Sequence, residues 1–212
     1  MTTGSRTARL TRKGALTRGR IVDTAADLIQ QRSVAGTTID DVRAAAQVSG
    51  SQLYHYFADK DELVEAVIDR QTEAIVTTTA EADLGTLDGL RAWRDLVVDH
   101  ARQVAGKGGC PLGSLGGQLA ETDERARVRI ADGFTRWSEA LRDGLTRLHD
   151  DGRLIAGIDP SRFAVTLLAT LQGGLLLAQV ERETHSLETS LDTLLGLGVI
   201  GWVDAGLPVT AG

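Results

Sequence analysis

The sequence predicts an all-α protein of about nine helices, arranged as a small N-terminal three-helix domain and a larger C-terminal helical domain. Three observations predict it. Only three prolines occur in 212 residues. Apolar side chains recur at steps of three and four along most of the chain, the period of a helix with one buried face. Ser, Thr or Asp residues stand just before many of these runs, where a side-chain oxygen can accept from the free N–H groups of a first turn.

The elements follow in order. Residues 1–16 read as a basic, flexible arm. A first helix is expected over 17–31, with Ile21, Ala25, Leu28 and Ile29 on one face, and Gly36-Thr37 interrupts the pattern. Thr38 is placed to cap a second helix, whose first turn holds Asp40 and Asp41 at the positive end of the helix dipole. Ser49 caps a short third helix ending near Phe57, and Asp59 caps a fourth carrying Leu63, Val67 and Ile68. A fifth helix begins after Gly85, where Leu90, Trp93, Val97, His100 and Val104 form one stripe. A glycine-rich break runs from Gly106 to Gly117, with a short helix fitting 114–121. Thr122 is expected to cap the seventh helix, in which Ile130, Phe134, Trp137, Leu141, Leu145 and Leu148 repeat, and Gly152 to end it. Asp159-Pro160 is a cap followed by proline at the first helical position.

The eighth helix is apolar on nearly every side: Phe163, Val165, Leu167, Leu168, Leu171, Leu175, Leu176 and Leu177. Such a helix is covered on more than one side. Gly173-Gly174 would let a neighbour approach closely. A subunit interface of a homodimer, built from about 159–182 and a ninth helix over 186–203, is therefore expected. The domain bounds read as 17–62 and 63–212.

Composition narrows the function. No run of 18 or more uninterrupted apolar residues exists, so no membrane span is expected. The N-terminus lacks the apolar run of a secretory signal, and one cysteine, Cys110, excludes an internal disulfide. A reducing cytoplasmic setting fits. Net charge is −6, yet residues 1–60 carry +4 and the remainder −10. The first 20 residues hold six basic side chains and no acidic one. This is a basic arm on an acidic body, the distribution of a nucleic-acid binder rather than its average.

The segment TIDDVRAAAQVSGSQLYHYF (38–57) carries the function. Ile39, Val42, Ala46, Val48, Leu53 and Phe57 have the spacing of a small core between two short helices, bridged by Gln47 to Ser49. That is a helix-turn-helix pattern. The second of these helices leaves Gly50, Ser51, Gln52, Tyr54 and His55 on its N-terminal and outer surface. Small residues let the backbone approach a groove, glutamine can pair with adenine, and hydroxyls reach bases or phosphates. Lys60 follows as a point charge.

TIDDV followed by VSGSQLYHYFADKDELV resembles the N-terminal domain of TetR-family repressors, over residues 17–68. The resemblance implies a nine-helix, dimeric regulator of a double-stranded DNA operator. It implies that Gly50, Ser51, Gln52 and His55 face bases, and that Thr38, Tyr54, Tyr56 and Lys60 hold phosphates. Two positions depart from the family pattern: Gln47 stands where a turn glycine is frequent, and Arg43 where a small alanine packs. Arg43 must then point partly outward, where it can add a phosphate contact. Arg12, Lys13, Arg18 and Arg20, just before or at the start of the first helix, can neutralise phosphates or reach a minor groove.

The resemblance also implies a pocket for a small-molecule effector among the helices of the larger domain. Its candidates are polar or aromatic residues on apolar faces: Trp93, His100, Phe134, Trp137, Gln172 and Gln179, together with Leu176 and Cys110. An apolar or aromatic effector suits such a lining. Three readings stand for Gly108 to Ser114: a phosphate loop, argued against by the missing Gly-Lys-Ser/Thr ending; a thiol sensor at Cys110, without a resolving cysteine; and a hinge or pocket-lining loop. No cofactor or metal is implied, since His55, His100, His149 and His185 are scattered without ligand spacing. No nucleophile motif or carboxylate pair points to an enzyme, and the basic arm argues against a purely protein-binding adaptor. Repressor and activator remain open from sequence.

Overall fold

The computed structural model describes residues 11–202. Among them it has nine α-helices and no strand; one isolated antiparallel bridge joins Leu154 to Val199. The chain divides into two compact units, with the boundary after Arg70, inside a helix rather than a loop.

The first unit holds α1 (Arg12–Arg32), α2 (Ile39–Ala45), α3 (Gly50–Tyr56) and the start of α4 (Lys60–Glu81). α1 begins five residues before the expected start, because the Thr11 hydroxyl accepts from Gly14 N–H and caps it there. Arg12 and Lys13 are thus helical, and residues 1–10 of the expected arm lie outside the described residues. Ile21, Val22, Ala25, Ala26 and Ile29 form the buried face of α1. Val42, Ala46, Val48, Leu53 and Phe57 are buried as the spacing requires, while Ile39 is half-buried. Arg70 Nε donates to Asp23 Oδ1 at 2.8 Å, linking α4 to α1. As expected, Asp59 caps α4, accepting from Glu62 N–H at 2.8 Å.

The second unit holds the rest of α4, α5 (Leu87–Gln103), α6 (Pro111–Leu119), α7 (Glu124–Asp150), α8 (Pro160–Glu181) and α9 (His185–Gly198). α8 packs against both α7 and α9, α6 against α7, and α5 against α9. Asp159 accepts from Arg162 N–H and Pro160 fills the first position, as the sequence predicts. α7 is capped by Asp123 rather than Thr122: its carboxylate accepts from Ala126 N–H at 3.0 Å. α6 starts earlier than 114, because Cys110 takes the cap position with Pro111 behind it. α9 stops at Gly198, since Val199 turns away to bridge Leu154.

α8 shows how the unit is built. Phe163, Ala164, Leu167, Leu168, Leu171, Gly174 and Ala178 are buried on its inner side. Val165, Leu176, Leu177 and Val180 lie exposed on the opposite side, in one stripe with Ala169 and Gly173. The two adjacent glycines differ. A Cβ on Gly174 would stand 3.0 Å from Leu187 Cα of α9, whereas one on Gly173 would meet nothing. By length and composition α8 is apolar enough to cross a bilayer, with a mean hydropathy of 1.7 over its best window. Its inner face is instead the spine of the helical core.

The Gly106–Gly113 segment lies flat on α8. A Cβ on Gly106 would collide with Ala178 O at 2.1 Å, and one on Gly109 with Gln179 Oε1 at 2.7 Å. One on Gly113 would collide with Gln172 Oε1 at 2.6 Å. Ala105, Gly106, Gly108 and Gly109 all have positive φ, so the chain turns tightly before settling there.

Candidate nucleic-acid interface

α2 and α3 are seven residues each, too short to persist alone. Reciprocal capping holds both. The Thr38 hydroxyl accepts from Asp41 N–H at 3.1 Å, and Asp41 accepts from Thr38 N–H at 2.9 Å. In α3 the Ser49 hydroxyl accepts from Gln52 N–H at 3.1 Å, and Gln52 Oε1 accepts from Ser49 N–H at 3.0 Å. Each box satisfies two otherwise orphaned donors. The hydrogen bonds from the Thr38 hydroxyl and N–H hold the Asp41 carboxyl below its usual range. Between the helices Gln47 takes φ 53°, the left-handed conformation that a glycine adopts without cost. The turn therefore closes despite the missing glycine.

The outer surface of α3 is as the sequence predicts: Ser51, Gln52, Tyr54 and His55 are exposed, and Gly50 is half-covered. Tyr54 is 59% exposed, a large ring left in solvent. Tyr56 is half-buried, with the His55 ring edge-on at 5.0 Å. Gln52 differs in one respect. Its carbonyl oxygen is engaged in the cap, so its amide NH2 is the group it presents outward. Arg43 points outward as required. Its Nε donates to Asp40 Oδ1 at 3.0 Å, and its Cδ lies 3.9 Å from a Cβ position on Gly50, beside the start of α3.

Two cations are less available than expected. Lys60 Nζ donates to Val34 O at 2.6 Å and is half-buried, so one of its donors fastens the α1–α2 connection. Arg18 is half-buried with its guanidinium 5.0 Å above the Phe57 ring, bracing α1 against the end of α3. Arg12, Lys13 and Arg20 are exposed on α1.

The effector candidates scatter in the second unit. Trp93 and Trp137 are buried, Phe134 is half-buried and stacked on Trp137 with centroids 6.5 Å apart. His100 is exposed in the last turn of α5: the buried face runs Leu90, Trp93, Val98 and Ala101, so a strict 3–4 stripe drifts off it by residue 100. Leu176 is 60% exposed on the outer stripe of α8 and lines no interior. Gln172 reaches Cys110, its Nε2 donating to Sγ at 3.4 Å, while Gly113 N–H donates to the same sulfur at 3.3 Å. Burial pushes the Cys110 thiol up, against these hydrogen bonds. The structure brings Cys110 and Gln172 together, and Phe134 and Trp137 together.

The sequence reading passed over Thr72. The residue is 3% exposed and its hydroxyl has no hydrogen-bond partner; Trp137 Nε1 is likewise buried and unpartnered. The signal was present: Ile68, Thr72, Val76 and Thr79 share one face at steps of 4, 4 and 3, with two polar residues on an apolar stripe.

Known proteins share this organisation. A profile described as "Bacterial regulatory proteins, tetR family" matches residues 21–67, and one described as "Tetracyclin repressor-like, C-terminal domain" matches residues 86–194. An HTH-type transcriptional regulator of Mycobacterium tuberculosis is 30% identical over 181 residues, 81% of this chain and 88% of that one. Another, from Lactococcus lactis, is 28% identical over 185 residues, 84% of this chain and 91% of that one. The structure of Escherichia coli NemR in its reduced form superposes with a TM-score of 0.79 at 22% identity, covering 86% of this chain and 97% of that one. With both halves matched and the helix-turn-helix in place, the chain belongs to the TetR family of DNA-binding transcriptional regulators and is not an enzyme.

Proposed function

We propose that the protein is a cytoplasmic homodimeric repressor that leaves a palindromic operator when a small apolar or aromatic effector binds its second unit. The observation that carries the reading is the doubly capped α2–turn–α3 with Gly50, Ser51, Gln52, Tyr54 and His55 on its open side. A rigid, capped helix with small residues at its N-terminus fits a major groove. Gln52, with its oxygen occupied, donates to an acceptor on a base edge, such as purine N7 or thymine O4. Ser51, His55 and Gly50 complete the base-facing set. Tyr54, Tyr56, Thr38 and Arg43 take phosphates; Lys60 and Arg18 chiefly position the elements that carry them. Arg12, Lys13 and Arg20 add non-specific attraction.

The exposed stripe of α8 supports the dimer. Val165, Leu176, Leu177 and Val180, with Leu197 of α9, are large apolar side chains in solvent. The α8 residues form one contiguous stripe, and such a surface marks an interface. In a dimer the two α3 helices must reach successive major grooves, ~34 Å apart. An effector that prefers another spacing lowers DNA affinity by linkage.

The test is a fluorescence-anisotropy titration of the full-length protein on a duplex from its own promoter region, at several salt concentrations. Tight binding that weakens steeply with salt is expected, and equal affinity for a scrambled duplex would sink the reading. Arg43→Ala is expected to lower the salt slope by about one unit, the loss of one phosphate contact. An unchanged slope would show that Arg43 stays with Asp40.

A further inference from the structure

We infer that each operator half-site presents a guanine to Gln52, because the cap of α3 leaves this side chain only its amide NH2 to read with. The inference rests on the operator reading above and names the base that reading leaves open.

A glutamine free at both ends pairs with adenine: its oxygen accepts from N6 and its NH2 donates to N7. Gln52 has one end to offer. Its Oε1 accepts from Ser49 N–H at 3.0 Å. A backbone N–H only donates, so the amide oxygen, and not the nitrogen, must face it. The return bond from Gln52 N–H to Ser49 Oγ, at 3.1 Å, completes the box. Turning the oxygen to a base would open that box on a helix of seven residues, which depends on it. The side chain is exposed, so the NH2 is the group a groove meets.

The rest of α3 does not restore a dedicated acceptor. Its sequence, GSQLYHY, holds no Asp or Glu, the side chains that accept from the N4 amino group of cytosine. Ser51, Tyr54 and His55 can each donate. Ser49 Oγ is occupied by Gln52 N–H and shares a further hydrogen bond with Ser51 Oγ at 3.0 Å. Arg43 brings positive charge to the same end of α3, with Cδ 3.9 Å from a Cβ position on Gly50. The carboxylate nearest to it, Asp40, is turned to Arg43 Nε.

The four base edges rank accordingly. Guanine offers N7 and O6, two adjacent acceptors for the two protons of one NH2. Thymine offers O4 alone, beside a methyl group. Adenine offers N7 next to an amino group whose protons would face those of Gln52. Cytosine offers only a donor. Guanine is preferred, and adenine, the usual partner of glutamine, is disfavoured.

Selection of the full-length protein on a pool of randomised duplexes, followed by anisotropy titrations on the consensus duplex, tests this. Gln52→Glu keeps an oxygen on Ser49 N–H and exchanges the outward donor for an acceptor. Its consensus should differ from the wild-type one at a single pair in each half-site, with guanine in the wild type and cytosine in the variant. On the wild-type protein, adenine in place of that guanine should weaken binding about tenfold. 7-Deazaguanine, which lacks N7, should also weaken it. Inosine keeps N7 and O6 and should stay within about threefold. If Gln52→Glu fails to fold, Gln52→Met, which has no donor, should bring the preference for guanine over adenine to within about twofold. Adenine, thymine or cytosine at the wild-type pair, tolerance of 7-deazaguanine, or a guanine preference unchanged in the folded variant overturns the inference and leaves the proposed function standing. A pool that yields no consensus overturns the proposed function, and the inference with it.

Discussion

At the residue scale, Gln47 shows what local chemistry can and cannot reveal. Its neighbours Thr38 and Ser49 were legible as caps, because a cap is a local contract between one side chain and the next turn. The demand for a left-handed residue at 47 comes from the angle between two helices, which no single residue encodes. The chain meets it with glutamine at φ 53°, a strain of about 1 kcal/mol. Gln47→Gly is expected to stabilise the protein by no more than about 0.5 kcal/mol, because the extra unfolded-state entropy of glycine offsets most of the relieved strain. Gln47→Val should destabilise it, because a β-branched side chain resists this conformation. Thermal melts of the two variants check the sign. His100 and Leu176 were placed in the pocket for the opposite reason. Apolar company in sequence does not say which way a side chain points, and both are exposed.

At the element scale, three arginines of α5 grip the C-terminal part of the chain. Arg102 pairs with Glu188 at 2.9 Å, Arg94 with Asp192, and Arg91 Nη2 donates to Gly201 O at 2.6 Å. None of this was visible in sequence, since the partners lie 86 to 110 positions away. The Arg94–Asp192 pair is the most enclosed, at 15% and 19% side-chain exposure. Arg94→Met should cost about 1–3 kcal/mol, because it strands the partly buried Asp192 carboxylate. Chemical denaturation measures it. Glu188 adds a pH signature. The Thr184 hydroxyl, then Arg102, hold its carboxyl below the usual carboxylate range. A carboxyl depressed in the folded state contributes stability above about pH 4.5 that is lost as pH falls through the folded value. Glu188→Gln should therefore flatten the fall in Tm between pH 5 and 3, and leave the slope near neutrality unchanged.

At the scale of the whole molecule, the fold class, the number of helices and the position of the helix-turn-helix were readable because periodicity and caps are carried by the sequence itself. The inner and outer sides of α8 were not separable, because both are apolar; only the packing of α7 and α9 on one side distinguishes them. The exposed side predicts assembly. Leu176→Asp with Val180→Asp is expected to give a folded monomer by light scattering, with unchanged helical circular dichroism and at least a hundredfold loss of DNA affinity. A dimer that survives both charges would remove the α8 interface. The glycine-rich strap between Gly106 and Gly113 has a practical consequence for anyone modifying the chain. By composition it looks like a linker, the natural place for a fluorophore or an epitope insertion. Yet three of its glycines press directly onto α8 atoms, so an insertion there would pry the strap off the helix. Residues 151–157 are the better port: Gly152 and Gly157 face open space, and their neighbours apart from Leu154 are exposed. Labels placed at Ala156, exposed beside Gly157, should report on the regulator without silencing it.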